Sequence, residues 1–197
     1  MKINFIINKQ TELENLLDEI DSRDKVLSYG LETILPEEGV FVEYLKTKNT
    51  EKVERYLTSV FDAKKYEKTA GLVKEEWTKV KDDFLQNLVE KTKLDPAEKY
   101  DVQITMYGPG GSYQLPNRII LRAAKNSDVS DSADTIMHEI IHLLIEKIVK
   151  KNKLNHNGKE NLVNIIIERV FSQQTSLKKE NTEKQIEFLL EKEILKI

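Results

Sequence analysis

Two of the three histidines in this 197-residue chain stand four positions apart in the stretch DTIMHEIIHLLIE (134–146), with a glutamate directly after the first. On an α-helix, residues four apart are rotated by about 400°, so His138 and His142 project from nearly one face, one turn apart. Both imidazoles can then reach one ion. Zinc binds histidine nitrogen at about 2.0–2.1 Å, and a catalytic zinc site uses three protein ligands and leaves the fourth position to water. Glu139 lies about 100° round the helix from His138, close enough to touch that water without binding the metal. The pattern points to metal-assisted hydrolysis with Glu139 as general base.

The competing reading is an apolar core helix that happens to carry two imidazoles. Ile140, Ile141, Leu143, Leu144 and Ile145 do embed this helix, and Ile136, Ile140 and Leu144 bury it as in any core helix. Packing alone leaves the histidines unexplained, because imidazoles in so apolar a neighbourhood need polar partners that the adjacent residues do not supply.

Composition narrows the setting. At 39% hydrophobic residues the chain can bury a sizeable core, and 31 lysines and arginines nearly balance 34 aspartates and glutamates. No strong field draws nucleic acid or an anionic membrane, so neither is an expected partner. The absence of cysteine removes disulfides, thiolate nucleophiles and thiolate metal sites. No apolar run approaches the roughly 20 residues of a membrane span, and the N-terminus lacks a signal-peptide core, which makes the cytoplasm the expected location.

The elements that must position the motif can be read in outline. KINFIIN (2–8) suits a short strand, and Thr11 with Glu14 three residues on suits a helix start. Residues 46–93 carry apolar side chains at three- and four-residue spacings, which predicts two or three amphipathic helices. Residues 101–124 alternate and contain Gly-Pro-Gly-Gly and Leu-Pro-Asn breaks, which predicts two or three antiparallel strands. A polar loop follows, in which Ser130, Asp131 or Ser132 can cap the motif helix. The stretch KKNKLNHNGK then breaks that helix, and 160–171 restarts one.

A HEIIH helix preceded by a strand and followed by a second helix with a glutamate resembles the zincin metallopeptidases, specifically the gluzincin branch that includes thermolysin. The resemblance covers roughly 101–171, and the chain's size is nearer to that of the minimal single-domain gluzincins than to that of the large secreted thermolysins. It implies an α+β fold: a small, mostly antiparallel sheet, an active-site helix and a glutamate helix. The chain then divides into a helical N-terminal region at 1–95, a candidate prodomain or substrate-binding lobe, and a zincin-like core at 96–197. The metzincin branch is excluded, since HEIIHLLIEKI has neither the glycine nor the third histidine which that branch requires.

By this resemblance His138 and His142 bind Zn2+ together with a glutamate from the next helix, and Glu139 is the general base. Glu160, eighteen positions after His142, matches the ligand glutamate. Asn164 stands where the family has an aspartate that orients a histidine, and an amide raises imidazole basicity less than a carboxylate does. Glu168 is the rival ligand if the second helix runs antiparallel to the first, and His156 would give a three-histidine site. Tyr107, Tyr113 and His156 are candidate donors to the transition state. The strand Arg118–Arg122 is the expected edge for pairing with substrate backbone, with sheet core as its alternative. YGPGGSY lacks the lysine followed by serine or threonine of a phosphate loop, does not lead straight into a helix, and reads as a turn or cleft lip.

The expected function is therefore a zinc metallopeptidase acting on a peptide or protein substrate. The alternative is a catalytically silent or self-inhibited zincin-like module that binds zinc and a protein partner, with the N-terminal helices or the tail at 185–197 in the cleft. The tail reads equally as a helix packed on its own domain.

Overall fold

A strand and a capped helix open the chain. In the computed structural model, which describes residues 1–171 and 184–196, strand β1 (Lys2–Ile6) leads into helix α1 (Lys9–Ser28). Asn8 is the cap, its side-chain oxygen accepting from the Gln10 amide at 2.7 Å. Thr11, the expected cap, sits inside the first turn with its hydroxyl donating to the Asn8 carbonyl, so the helix begins a turn earlier than its sequence suggested. Helices α2 (Glu38–Thr47), α3 (Glu51–Val60) and α4 (Ala63–Lys91) follow, the last capped by Asp62. Leu16, Ile20, Val40, Tyr44, Val53 and Leu57 form a small core among α1, α2 and α3.

The sheet has strands β2 (Lys99–Thr105), β3 (Gly111–Gln114) and β4 (Arg118–Arg122) beside β1, in the order β1-β2-β4-β3. It is mostly parallel, which corrects the antiparallel expectation: β1 pairs with β2 and β2 with β4 in parallel, and only β3 is antiparallel, to β4. The reason lies in the connections. Parallel neighbours need a long crossover, and α1 to α4 supply one between β1 and β2. Between β2 and β4 the chain first lays β3 on the outside and then returns, so that β4 inserts between them. A second correction follows, because β4 is not an edge. It is paired on both sides with Ile119 and Leu121 fully buried, and β3 is the edge strand instead.

Strand alternation gives the sheet two unlike faces. Tyr100, Val102, Ile104, Ile119 and Leu121 join the large core with Phe84 and Leu88 of α4 and with the helices that follow the sheet. The opposite face is polar and lies under α1. There the Asn15 amide donates to Thr105 Oγ1 at 3.0 Å, and Glu12 accepts from the Tyr66 hydroxyl at 2.7 Å and the Met106 amide at 3.0 Å. Burial raises the Glu12 carboxyl against those bonds. Glu19, a further turn along, is only 8% exposed and packs against Gly108, whose φ of +88° suits glycine alone. Burial, reinforced by the charge of Asp18, pushes the Glu19 carboxyl up to about 7.

After β4, Arg122 pairs with Asp128 at 3.2 Å and fixes the short helix α5 (Asn126–Ser130). Helix α6 (Ser132–Asn152) carries the histidine motif, and α7 (His156–Phe171) carries Glu160. Asp131 occupies the cap position of α6 without a side-chain cap bond. The turn at 153–155 folds back, with the Leu154 amide bonded to the Val149 carbonyl, and Asn155 Oδ1 caps α7 through the Gly158 amide. Helix α8 (Lys184–Leu189) and the π-helical turn Leu190–Ile194 bury Ile186, Leu189, Leu190 and Ile194 in the large core. The described tail residues thus pack on the domain and do not line the cleft; Ile197, the last residue of the predicted tail helix, lies outside the described residues. No helix among the described residues is long and apolar enough to cross a membrane.

Candidate metal centre

The site forms where α6, α7 and β3 meet. On α6 the apolar stripe of Ile136, Ile140 and Ile141 is fully buried and holds the helix against the sheet, which fixes the azimuth of His138, Glu139 and His142. On α7 the cap at Asn155 and the folded-back turn start the helix close to those residues. Glu160, at the second turn of α7, is thereby brought to the histidines.

His138, His142 and Glu160 form a triad that can hold a metal ion. The two Nε2 atoms lie 3.0 Å apart, and Glu160 Oε2 lies 3.2 Å from each. A tetrahedral ion with ligands at about 2.0–2.1 Å separates its ligand atoms by about 3.3 Å, so the triangle fits one face of such a tetrahedron. Two imidazoles and a carboxylate are also a donor set that zinc accepts.

The electrostatics agree with ligand roles. Burial lowers the His142 pKa against the opposing pull of Glu160, a shift towards the neutral form that ligates a metal. Burial alone would raise Glu160, but the contacts from His138 and His142 and the charge of Lys159 outweigh it and hold the carboxyl well below the usual range. Glu139 is 6% exposed and is not one of the three grouped ligands; burial pushes its carboxyl up to about 7, with His138 opposing and Glu160 adding. A carboxylate with a pKa near neutrality is suited to exchanging a proton with a reacting group.

Around the triad opens a cleft of about 1280 Å³. That exceeds the roughly 300–1,000 Å³ of small-molecule pockets. Its walls include Gly111 and Tyr113 of β3, His156 and Lys159 of α7, and Tyr29 at the end of α1. Tyr113 stacks on His142 with centroids 5.1 Å apart and donates to Glu146 Oε2 at 2.6 Å. Burial and the charge of Glu146 raise the Tyr113 phenol. The Glu146 carboxyl, raised by burial, is lowered overall by bonds from Tyr113 and Lys150.

The structure therefore brings together Glu160, His138 and His142, with Glu139 beside them. Glu168 lies eight residues further along α7, about 12 Å of helix rise away, and is not in the triad. His156 is at the cleft wall, its ring stacked on Tyr29 at 4.0 Å and its Nδ1 3.6 Å from Glu160 Oε1. Tyr113 is at the site with its hydroxyl committed to Glu146. Tyr107 is buried in the small core with its hydroxyl 3.3 Å from that of Tyr56, and it does not line the cleft. Asn164 is exposed, while His142 Nδ1 is buried with no hydrogen-bond partner among the described residues, so Asn164 does not orient that ring.

Three residues at the site escaped the sequence reading. Glu146 carried a signal, standing four positions beyond His142 on the same helical stripe. Lys159 and Tyr29 carried none, since one is a lysine among many and the other arrives from a distant helix. No protein-family model matches the chain, and no curated protein or solved structure is significantly similar to it.

Proposed function

We propose that this chain is a zinc-dependent peptidase of the gluzincin kind. The observation that carries this reading is the triangle of His138 Nε2, His142 Nε2 and Glu160 Oε2, with sides of 3.0 and 3.2 Å, opening on a large cleft with Glu139 beside it. A zinc ion bound there supplies Lewis acidity, acidifying water and polarising a carbonyl oxygen. His138, His142 and Glu160 would hold it.

The chain's own residues supply the rest. The outer edge of β3 is unpaired among the described residues, so an extended peptide can add to the sheet there and lie along the cleft. Glu139 accepts the proton of the attacking water and passes it to the leaving amine, a shuttle that a carboxyl poised near pH 7 performs in both directions. His156, at the cleft wall and meeting Glu160 only through Nδ1 at 3.6 Å, is the candidate donor to the developing oxyanion, since the Tyr113 hydroxyl is taken by Glu146. Tyr113 stacked on His142 keeps water away from that imidazole.

The test is metal content together with cleavage of a mixed peptide library. The reading expects close to one equivalent of zinc in the purified protein and cleavage that a chelator stops. A protein that neither contains nor takes up zinc refutes it.

A further inference from the structure

Glu160 presents its two carboxylate oxygens to different neighbours. Oε2 faces the two imidazoles at 3.2 Å, while Oε1 lies 3.5 Å from Lys159 Nζ and 3.6 Å from His156 Nδ1. The distinction matters for a metal centre, because a carboxylate can meet a cation through one oxygen or through both. The second mode fills the position that a catalytic site leaves open to substrate and water.

Lys159 is the better anchored of the two groups at Oε1. Its side chain is 20% exposed, and its ammonium lies 3.5 Å from the Tyr113 hydroxyl and 5.1 Å from the Tyr113 ring centroid. Tyr113 is itself tied to Glu146 and stacked on His142. The charge of Lys159 is thus held at one place by β3 and α6, across the cleft from its own helix.

We propose that Lys159 is a positioning residue that retains Oε1 of Glu160, so that the carboxylate meets the metal through Oε2 alone and the fourth position stays open. The proposal rests on reading the triad as a metal site. It also makes a prediction that a bystander lysine does not. A lysine that merely stands near a dication repels it, so removing such a bystander tightens metal binding. Removing a residue that holds one carboxylate oxygen back changes the number of ligands on the ion as well.

The experiment compares wild type, Lys159→Met and Lys159→Arg by zinc affinity in competition with a chromophoric chelator, and by the visible spectrum of the cobalt(II)-substituted proteins. Lys159→Met is expected to bind zinc at least as tightly as wild type, since the ion gains a carboxylate oxygen and loses a neighbouring positive charge. Its cobalt spectrum is expected to change from the intense bands of a four-coordinate ion to the weaker ones of a five-coordinate ion. Lys159→Arg keeps both wild-type properties. Lys159→Gln, checked for wild-type circular dichroism, carries the same test if the methionine variant misfolds. An unchanged cobalt spectrum in the neutral variants overturns the role of Lys159 alone, whatever the zinc affinity. Wild-type protein that takes up neither metal overturns this proposal and the metal reading beneath it.

Discussion

Gly111 of the edge strand lies against Glu139 of the motif helix: a Cβ at position 111 would come within 2.8 Å of Glu139 Oε1 and 2.5 Å of Thr135 Cγ2. Glycine suits this close approach, and it lets β3 ride on the Thr135 and Glu139 side chains of α6 with no side chain of its own there. A peptide added to β3 would then run beside the Glu139 carboxylate. Gly111→Ala must displace the strand or the Thr135 and Glu139 side chains it meets. The expected result is a loss of about 1–3 kcal/mol of stability, as for other overpacked contacts, and a clear fall in peptide cleavage with zinc content retained. Denaturant unfolding and cleavage rates check this, and a variant unaltered in both contradicts the seating of β3.

Metal binding to the triad must stabilise the fold, because the three ligands come from two helices that only the folded chain brings together. Zinc at about 100 times its dissociation constant should add about 2.7 kcal/mol, which for a chain of this size is a rise of about 5–10 °C in Tm. Thermal unfolding with and without chelator measures it. Glu160→Ala should lose most of the increment and Glu168→Ala should keep it; the reverse pattern would transfer the third ligand to Glu168.

Stability should also depend on pH through Glu19. Its carboxyl is raised to about 7 in the fold against an ordinary value of 4.5, so between those limits the folded state holds a proton that the unfolded chain has released. Stability is therefore greatest below about pH 4.5 as far as this group is concerned, and falls as pH rises through 7, by on the order of 3 kcal/mol at most. Glu19→Gln should flatten that part of the profile. Equal slopes for wild type and variant between pH 5 and 7 would show that Glu19 is not the group responsible.

Tyr113 separates two functions in one side chain. Tyr113→Phe removes the bond to Glu146 and should cost about 1–3 kcal/mol of stability, while the ring still covers His142, which is 3% exposed, and zinc affinity is kept. Tyr113→Ala uncovers His142 and frees Lys159, and should weaken zinc binding about 10-fold or more. Identical zinc affinities in the two variants would remove the ring from the account.

What could be read from the sequence follows the range of the physics involved. His138, Glu139 and His142 were legible because one helical period fixes their relation, and burial of Ile136 and Ile140 turns that face to the site. Glu160 was legible only through a resemblance, since its choice over Glu168 depends on the turn at 153–155, where the Leu154 amide folds back to Val149. The sheet was misread because strand order is not local: β1 finds its partner 97 positions on, at Lys2 opposite Lys99, and β4 becomes central only because β3 is laid outside it. Tyr107 looked available from its place near the glycine turn, yet the apolar faces of α1 and α3 draw it into their own core. Lys159 could not have been found at all, as its role arises from Tyr113 on another element.

The central claim is that Glu139 moves a proton in peptide hydrolysis without holding the metal. The most direct measurement is Glu139→Gln, assayed for zinc content and peptide cleavage in the same preparation beside wild type. The account predicts a wild-type zinc equivalent and cleavage reduced to background. Cleavage that survives the substitution, with zinc bound, would contradict it.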